Sequence, residues 1–304
     1  MGACFKTASH PAGAAAWSSA ARRGYRGGGG SGGVPAPYVG PLDGLATPPR
    51  AAYSTRKLLS AYEGNWVRLR RQSDDAEMDF GFVAATGLVD LAAVAAWAGG
   101  AANVVTWYDQ SCNGFDVTQT TQASQPLFVA GESTLNGMPA LDFDSDFMEF
   151  SGAAVLNTAA AFMYGTVSRN SDVSFARIIS TTAAGQLDFT NPESCNLLSN
   201  SSTITAQRNS ASSVKTGKST GVGHVAAARF QADGTVTAEV NGVAGVPTLQ
   251  AGTFNTINVR LGGRGPAHEL FAGKIAEVVI INSDPHESYR SAIIAEAIAF
   301  YEVS

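Results

Sequence analysis

The sequence has few charged side chains and little of the material from which metal sites or membrane spans are built. Only 15% of its 304 residues are Asp, Glu, Lys or Arg, and it contains three cysteines and four histidines. Cys4, Cys112 and Cys195 are too far apart for a metal site, and the histidines show no ligand spacing. No apolar run reaches the roughly 18 residues that a membrane helix needs. We therefore expect no metal, no cofactor and no contact with a membrane.

The residues that are abundant favour strands and tight turns. Hydrophobic residues make up 45% of the chain, which is enough for a large core. Gly, Ser, Thr, Ala and Asn are frequent, whereas Lys and Glu are scarce, and this balance favours short strands over long helices. A single all-β domain of roughly 250 residues with an appendage accounts for the length.

The first fifty residues differ in composition from the remainder. They hold 11 of the 33 glycines and 6 of the 12 prolines, with five basic side chains against one acid. Such a segment cannot bury enough apolar surface to fold alone. We predict an extended arm over 1–50 and a folded body over 51–304. The arm is expected to bind neighbouring subunits through its aromatic and basic side chains, namely Phe5, Trp17, Arg22, Arg23, Tyr25 and Arg26.

Alternatives for the arm are a flexible linker and a contact with nucleic acid. The second is weaker, because a few cations without a fold make a poor site for a phosphate backbone. The segment also lacks the charged-then-apolar order of a secretory signal, so we expect the protein to be made inside the cell.

The body is predicted to be an all-β sandwich or jelly roll. Beyond residue 155, apolar strands follow one another with Gly, Asn or Asp between them. Two short helices are expected earlier, in "AAYSTRKLLSAYEGN" and "GLVDLAAVAAWAGG", the second ended by Gly99 and Gly100. One C-terminal helix is expected after Asp284, with Pro285 in its first turn and Glu287 completing a capping box.

Three segments resemble one enzyme family. They are "AYSTRKLLSAYEGNWVRLRRQSDDAEMDFGF", "VVTWYDQSCNG" and "LNGMPALDFD", and the match is most specific over residues 51–143. Together they resemble the catalytic domain of α-L-arabinofuranosidase B, glycoside hydrolase family 54, and they are also similar to segments of bacteriophage tail and virion proteins. The resemblance implies a concanavalin A-like jelly roll.

The same resemblance bears on activity. Retaining glycosidases use two carboxyl groups about 5 to 5.5 Å apart. In the resembling family the proton donor is an aspartate directly after a Gly-Gly pair, where "VRLGGRGPAHE" has Arg264. The nucleophile is a glutamate, and the corresponding "NPESCNLLSN" has Ser194 with Glu193 one position away. Since a guanidinium cannot donate a proton at neutral pH, we expect the chain not to be an enzyme, and we assign no catalytic residue.

The stretch "VVTWYDQSCNGFDVTQ" is interpreted as a structural corner. Trp107 and Tyr108 fit a strand end that packs on the core, and Asp109 can accept hydrogen bonds from turn NH groups. Cys112 stands where the resembling proteins usually have glycine. A sugar-binding edge formed by Trp107, Tyr108 and Asp109 is the alternative.

Other polar clusters are weaker candidates. Asp142, Asp144 and Asp146 alternate as in a calcium loop, but the glycine at the sixth position and the acid at the twelfth are absent. We interpret this stretch as a strand corner. His268 beside Glu269 could form an acid–base pair, although a surface pair is commoner.

Three functions follow from these observations. The favoured one is a structural protein of a tailed bacteriophage, located in the virion as a capsid decoration or tail component and held by its arm to other virion subunits. It could also bind glycans on the host surface. The alternatives are a carbohydrate-binding module and an active α-L-arabinofuranosidase.

Overall fold

The computed structural model describes most of the body. The described residues are 37–169, 175–186, 191, 193–200, 202–209, 211–263 and 269–304. Several residues singled out above lie outside them, namely Phe5, Trp17, Arg22, Arg23, Tyr25, Arg26, Arg264 and His268.

Antiparallel strands form most of the described structure. In chain order they are β1 (Ala51–Ser54), β2 (Val67–Arg71), β3 (Glu77–Phe80), β4 (Ala102–Trp107), β5 (Val117–Thr118), β6 (Leu127–Glu132), β7 (Met138–Asp144), β8 (Met148–Leu156), β9 (Ala161–Arg169), β10 (Ala176–Thr182), β11 (Cys195–Ser199), β12 (Thr203–Arg208), β13 (Ala211–Thr216), β14 (Gly223–Phe230), β15 (Thr235–Val240), β16 (Val243–Ala244), β17 (Thr248–Leu249), β18 (Thr256–Leu261) and β19 (Ala272–Ile281).

The strand pairings define two ladders. The back ladder runs β15-β14-β9-β19-β7-β6-β4-β2-β3, and β1 pairs with the second half of β19. The front ladder runs β8-β18-β10-β11-β12-β13. Short β5 joins β4 to β8, so the ladders form one sheet that folds over on itself. The predicted all-β sandwich is confirmed.

The main core takes side chains from both ladders. Trp107 and Phe143 of the back ladder belong to the same buried cluster as Leu197, Val259 and Leu261 of the front ladder. Successive strand residues point to opposite faces, so their sequence neighbours point away from this core. On the front ladder those neighbours are polar, and they form the surface described below.

The C-terminal helix, α2 (Glu287–Tyr301), covers the outer face of the back ladder. Ile293, Ile294 and Ala297 lie in a second buried cluster with Phe162 and Val225. The helix was predicted, but its cap was not. His286 is the N-cap residue, with its ring Nδ1 accepting from the Ser288 NH at 3.3 Å. Asp284 instead pairs with Arg229, with Nη2 and Oδ2 separated by 2.8 Å.

The early part of the body contains one of the two predicted α-helices. Helix α1 (Leu91–Ala98) ends at Gly99, whose φ of 60° is the left-handed conformation that favours glycine. The helix predicted within 51–65 is wrong, because Ala51–Ser54 pairs with β19 and is fully buried there. Its apolar spacing reflects burial on both faces of an extended segment. Neither α-helix of the described residues is long and apolar enough to span a membrane.

Residues 37–50, which the sequence prediction placed in the arm, pack against the body. Leu42 is 2% exposed, and its NH donates to the Leu58 carbonyl at 3.0 Å. The carboxylate of Asp43 accepts from the NH groups of Gly40 and Ser60 at 2.6 and 2.8 Å. This segment therefore contributes to the folded unit.

Candidate functional site

A row of polar side chains crosses the front ladder, with one residue from each strand. Register partners lie side by side on the same face of a sheet, and here each polar residue is the partner of the next. In spatial order the row is Glu149, Arg260, Ser180, Asn196, Gln207 and Ser212. It forms the floor of the candidate site.

One end of the floor presents a carboxylate held by an arginine. The Nε of Arg260 donates to Oε2 of Glu149 at 2.9 Å, and its Nη1 donates to the Thr182 hydroxyl at 3.4 Å. The Arg260 side chain is 10% exposed and that of Glu149 is 43% exposed. A nearly buried guanidinium thus fixes the orientation of a carboxylate that a ligand can reach.

The middle of the floor contains a second arginine, Arg177, which is fully buried. Its Nε donates to Oε2 of Glu269 at 2.7 Å, and its Nη1 donates to Oε1 of Gln207 at 3.3 Å. Glu269 lies shortly before β19, so this ion pair ties the approach to β19 to the floor. The pair that the sequence places at His268 and Glu269 is not tested, because His268 lies outside the described residues, and the Glu269 carboxylate binds Arg177.

A third carboxyl group, Asp146, lies on the turn directly before β8. Partial burial raises its pKa to about 6, and the nearby carboxylates of Asp144 and Asp142 add to the shift. The turn packs on the end of β18, because a Cβ at Gly262 would lie 3.0 Å from the Asp146 carbonyl oxygen. Asp146 and Glu149 are therefore two carboxyl groups at one end of the floor in different environments.

A sequence pattern in β18 points to some of these residues, although it was not among the predictions above. The strand reads "TINVRL" and places Asn258 and Arg260 at alternate positions among apolar residues, and both are less than 9% exposed. A buried strand with polar residues every second position indicates a lined site rather than a solvated face. The pairing of β18 with β8 could not be read from the sequence.

The alternative sugar-binding edge at Trp107, Tyr108 and Asp109 fails for two of its three residues. Trp107 is 0% exposed and packs on Tyr53 with ring centroids 5.8 Å apart, so it has no free face for a sugar. Asp109 is buried within the corner itself. Tyr108 is partly exposed, and its hydroxyl donates to Asp79 Oδ1 at 2.7 Å.

Asp109 organises the corner instead. Its two oxygens accept from the NH groups of Ala52, Ser111 and Phe115 at 2.9, 2.9 and 3.2 Å, and from the Ser111 hydroxyl at 2.7 Å. Burial raises the pKa of Asp109, and these hydrogen bonds oppose that rise. Cys112 has a φ of 65°, which explains why glycine suits this position. The corner interpretation accounts for every one of these contacts.

Ser194 and its neighbour Glu193, which align with the family's nucleophile, make hydrogen bonds that stabilise a loop. The Ser194 hydroxyl is buried and accepts from the Ala183 NH at 3.1 Å. The NH of Glu193 donates to Oδ1 of Asn191 at 2.8 Å, and the Glu193 carbonyl accepts from the Asn255 NH at 3.3 Å. Arg264, aligned with the proton donor, lies outside the described residues.

The acidic clusters are engaged in ion pairs. Asp142 pairs with Lys274 at 3.4 Å, Asp79 with Arg68 at 2.8 Å, and Asp74 with Arg71 at 2.7 Å. Across the part of the chain that the structure describes, no three His, Cys, Asp or Glu side chains form a group that could hold a metal ion.

Arabinofuranosidases are among the known proteins that are similar to this chain in sequence or fold. The family model for the catalytic part of α-L-arabinofuranosidase B matches residues 43–139. A glycoside hydrolase family 54 α-L-arabinofuranosidase soaked with a cyclic sulfate inhibitor matches with a TM-score of 0.68 at 17% identity, over 86% of this chain and 66% of that one. An arabinofuranosidase complexed with arabinofuranosyl-α-1,2-xylobiose matches with a TM-score of 0.67 at 19% identity, over 86% and 65%. No curated protein sequence matches the chain.

The chain resembles the catalytic domain of glycoside hydrolase family 54. It spans just under two thirds of the length of these solved arabinofuranosidases. At under 20% identity, the structural likeness shows a shared β-sandwich fold.

The prediction that the chain is not an enzyme is wrong. The matching family model is that of a catalytic domain, and the fold is shared with glycoside hydrolases. Arg264, on which that prediction depended, lies outside the described residues, and the alignment around Ser194 is weak. Arg264 and Ser194 therefore do not show that an active site has been lost. Asp146 and Glu149 carry carboxyl groups that the alignment did not include.

Proposed function

We propose that this chain is a glycoside hydrolase that acts on α-L-arabinofuranosyl groups. The observation that supports the proposal best is the pair of carboxyl groups at the start of β8. Asp146 has a pKa raised to about 6, and the Glu149 carboxylate is held by Arg260. We base the assignment of acid and nucleophile on the carboxyl group whose pKa burial raises and on the carboxylate that a guanidinium holds in place.

Asp146 is assigned as the proton donor. A general acid works best when its pKa lies near the operating pH, and a carboxyl group with a pKa of about 6 meets this condition better than an exposed one. Burial is the main cause of the shift, and the packing of the turn on Gly262 maintains that burial.

Glu149 is assigned as the nucleophile. Its carboxylate is partly exposed at the floor, while Arg260 and the neighbouring Thr182 hydroxyl fix the geometry. Asp146 and Glu149 are three residues apart, so their Cα atoms are at most about 10 Å from each other along extended chain. We propose that both carboxyl groups turn towards one sugar ring.

The chemical steps follow from these roles. Asp146 gives its proton to the glycosidic oxygen as the bond between that oxygen and the anomeric carbon breaks, and the Glu149 carboxylate bonds to the anomeric carbon. Water then attacks the same carbon, its proton goes to Asp146, and the bond to Glu149 breaks. The released sugar keeps its anomeric configuration.

Kinetics of the Asp146→Asn variant test the donor. With an alkyl arabinofuranoside, whose leaving group needs a proton, we expect kcat/KM to fall roughly 10²- to 10⁴-fold. The wild-type rate should decline above a pH of about 6, and this limb of the profile should vanish in the variant. Asp144→Asn, at the exposed end of β7 beside this turn, is the matched control. It should keep most of the activity and only move the decline to a lower pH, because one nearby carboxylate is removed.

Glu149 requires a separate measurement. Glu149→Gln and Glu149→Ala should both abolish hydrolysis of 4-nitrophenyl α-L-arabinofuranoside, and added azide should partly restore turnover in Glu149→Ala by occupying the space that the carboxylate leaves. Inversion of the product's configuration, or full activity of Glu149→Gln, would remove Glu149 from the mechanism.

A further inference from the structure

We propose that the pocket at the C-terminal end of α1 is a non-catalytic binding site for neutral glycans. We call it the second pocket because it is separate from the floor of the front ladder. It lies on the back-ladder side, formed by the end of β2 and the α1–β4 connection. Its volume is about 580 Å³, and its lining residues are Arg71, Gln72, Ser73, Ala96, Trp97, Ala98, Gly99, Gly100 and Ala101. Nothing in the proposed hydrolysis uses these residues.

The aromatic wall of this pocket is held in place before any ligand binds. The Trp97 ring packs edge-on against Phe80, with centroids 5.3 Å apart. The Arg71 guanidinium lies 5.1 Å from the centre of the indole, and its Nη1 donates to the Trp97 carbonyl at 2.7 Å. The guanidinium lies over one face of the indole, so the half-buried ring offers its remaining surface, beside hydrogen-bonding groups, to the apolar face of a sugar ring.

The charge balance of the pocket indicates a neutral ligand. Both oxygens of Asp74 accept from Arg71, with Nε–Oδ1 and Nη2–Oδ2 distances of 2.8 and 2.7 Å. The pair compensates its own charge, and the half-exposed Asp74 carboxylate still offers acceptor capacity to hydroxyl groups. Among the lining residues Arg71 is the charged one, and Asp74 neutralises it, so the pocket has no uncompensated charge that would favour an anionic sugar.

The size of the pocket and its glycines leave room for sugar rings. A volume of about 580 Å³ falls within the roughly 300 to 1,000 Å³ of small-molecule sites. A Cβ added at Gly99 or Gly100 would meet nothing within 4 Å, so the glycines border open space. Gly100 is not in the left-handed region, so a side chain placed there fills the pocket without backbone strain.

The test uses Gly100→Phe, which should fill the pocket, with Gly100→Ala as the small-side-chain control. The probes are insoluble arabinoxylan and linear arabinan in a depletion assay. We expect the wild type and Gly100→Ala to bind one of them and Gly100→Phe to bind it at least 10-fold more weakly. Gln72→Ala, which changes the polar wall alone, should weaken binding several-fold. Thermal unfolding of each variant confirms that the body remains folded.

Hydrolysis of 4-nitrophenyl α-L-arabinofuranoside separates this inference from the proposed function. It should be the same in the wild type and all three variants, because this small substrate does not extend to the second pocket. A wild type that binds neither polysaccharide, or a Gly100→Phe variant that binds as well as the wild type, would overturn the inference. Loss of polysaccharide binding by Gly100→Phe supports it even if the aryl arabinofuranoside is not hydrolysed.

Discussion

Single buried polar residues determine much of the chemistry of this protein. His224 on β14 is 2% exposed, and no hydrogen-bond partner of its Nε2 is found among the described residues. Burial lowers its pKa to about 4, and the positive charges of Lys218 and Arg169 contribute. The imidazole is therefore neutral in the folded protein over the whole range in which an exposed histidine becomes charged.

His224 should make the fold sensitive to acid. The unfolded chain takes up this proton below its usual pKa of 6.5, whereas the folded chain does so only near 4. Stability is thus unaffected above pH 6.5 and is lost as the pH falls from 6.5 towards 4, by about 3 kcal/mol. Urea unfolding at about pH 7.5 and pH 4 measures how much free energy of unfolding each protein loses on acidification. That loss should be smaller by about 3 kcal/mol in His224→Leu than in the wild type. An equal loss in both proteins would show that the group titrates normally.

Gly262 is a residue for which the structure allows no side chain. It has a φ of 78°, and an added Cβ would collide with the Phe143 ring and press on the Asp146 carbonyl. We expect Gly262→Ala to lower the free energy of unfolding by roughly 1–3 kcal/mol and to shift the alkaline limb of the pH–rate profile, because the turn bearing Asp146 must move. Gly100→Ala, with open space around it, should change neither quantity.

Between elements, buried polar contacts fix how segments meet. The corner that ends β4 is joined to β1 by Asp109, which accepts from the Ala52 NH across 57 residues of sequence. Helix α2 is joined to β19 in a similar way. Glu277 is 0% exposed and accepts from Arg56, Tyr164 and Tyr301, while Arg56 also binds Glu296 of the helix.

The corner gives a sharp test of the Asp109 assignment. In Asp109→Asn one carboxylate oxygen is replaced by an NH₂ group, which cannot accept the hydrogen bonds that this oxygen accepted. We therefore expect the free energy of unfolding to fall by about 2–3 kcal/mol. Asp116→Asn is the matched control, because Asp116 accepts a backbone hydrogen bond from Asp109 NH at 2.8 Å, which the amide oxygen can keep. Equal losses in the two variants would contradict the central role of Asp109.

The ion pair beneath α2 should show strong coupling. Arg56→Met leaves the buried Glu277 carboxylate without its guanidinium and should cost about 3–5 kcal/mol. Adding Glu277→Gln to that variant should recover part of the loss, because the uncompensated charge is removed. Chemical unfolding of the two single variants and the double variant gives the coupling energy, and simple additivity would mean that the charges act independently.

At the scale of the full chain, the described body begins before the predicted boundary at residue 50. Leu42 is buried in the cluster under α2, and Asp43 caps two backbone NH groups. The body without residues 1–36, which keeps every contact of residues 37–50, sets the reference melting temperature. Removal of residues 1–50 should lower it by several degrees, since these contacts are lost. Differential scanning calorimetry compares the two truncations, and equal melting temperatures would contradict a structural role for 37–50.

The role of the chain in a bacteriophage particle stays a prediction. It depends on an assembly arm whose anchor residues lie outside the described residues, and on a similarity to virion proteins, whereas the family model and the two solved structures compared above are those of arabinofuranosidases. Incorporation of the 1–36 deletion into particles as efficiently as the full chain would contradict it. A virion location and an arabinofuranosidase-type activity are compatible, because a particle can present an enzyme.

Local sequence patterns were sufficient to predict the fold class, the C-terminal helix, the helix before Gly99 and the corner around Asp109. Apolar spacing, turn residues and capping depend only on neighbouring residues, so these features can be read along the chain. Contacts between distant segments were needed to show that residues 51–54 form a strand, since their partner β19 begins more than 200 residues later. Such contacts also place Glu149 beside Arg260 and Asp146 against Gly262. Cross-strand register and burial bring those residues together, and the pKa of a carboxyl group follows from such surroundings.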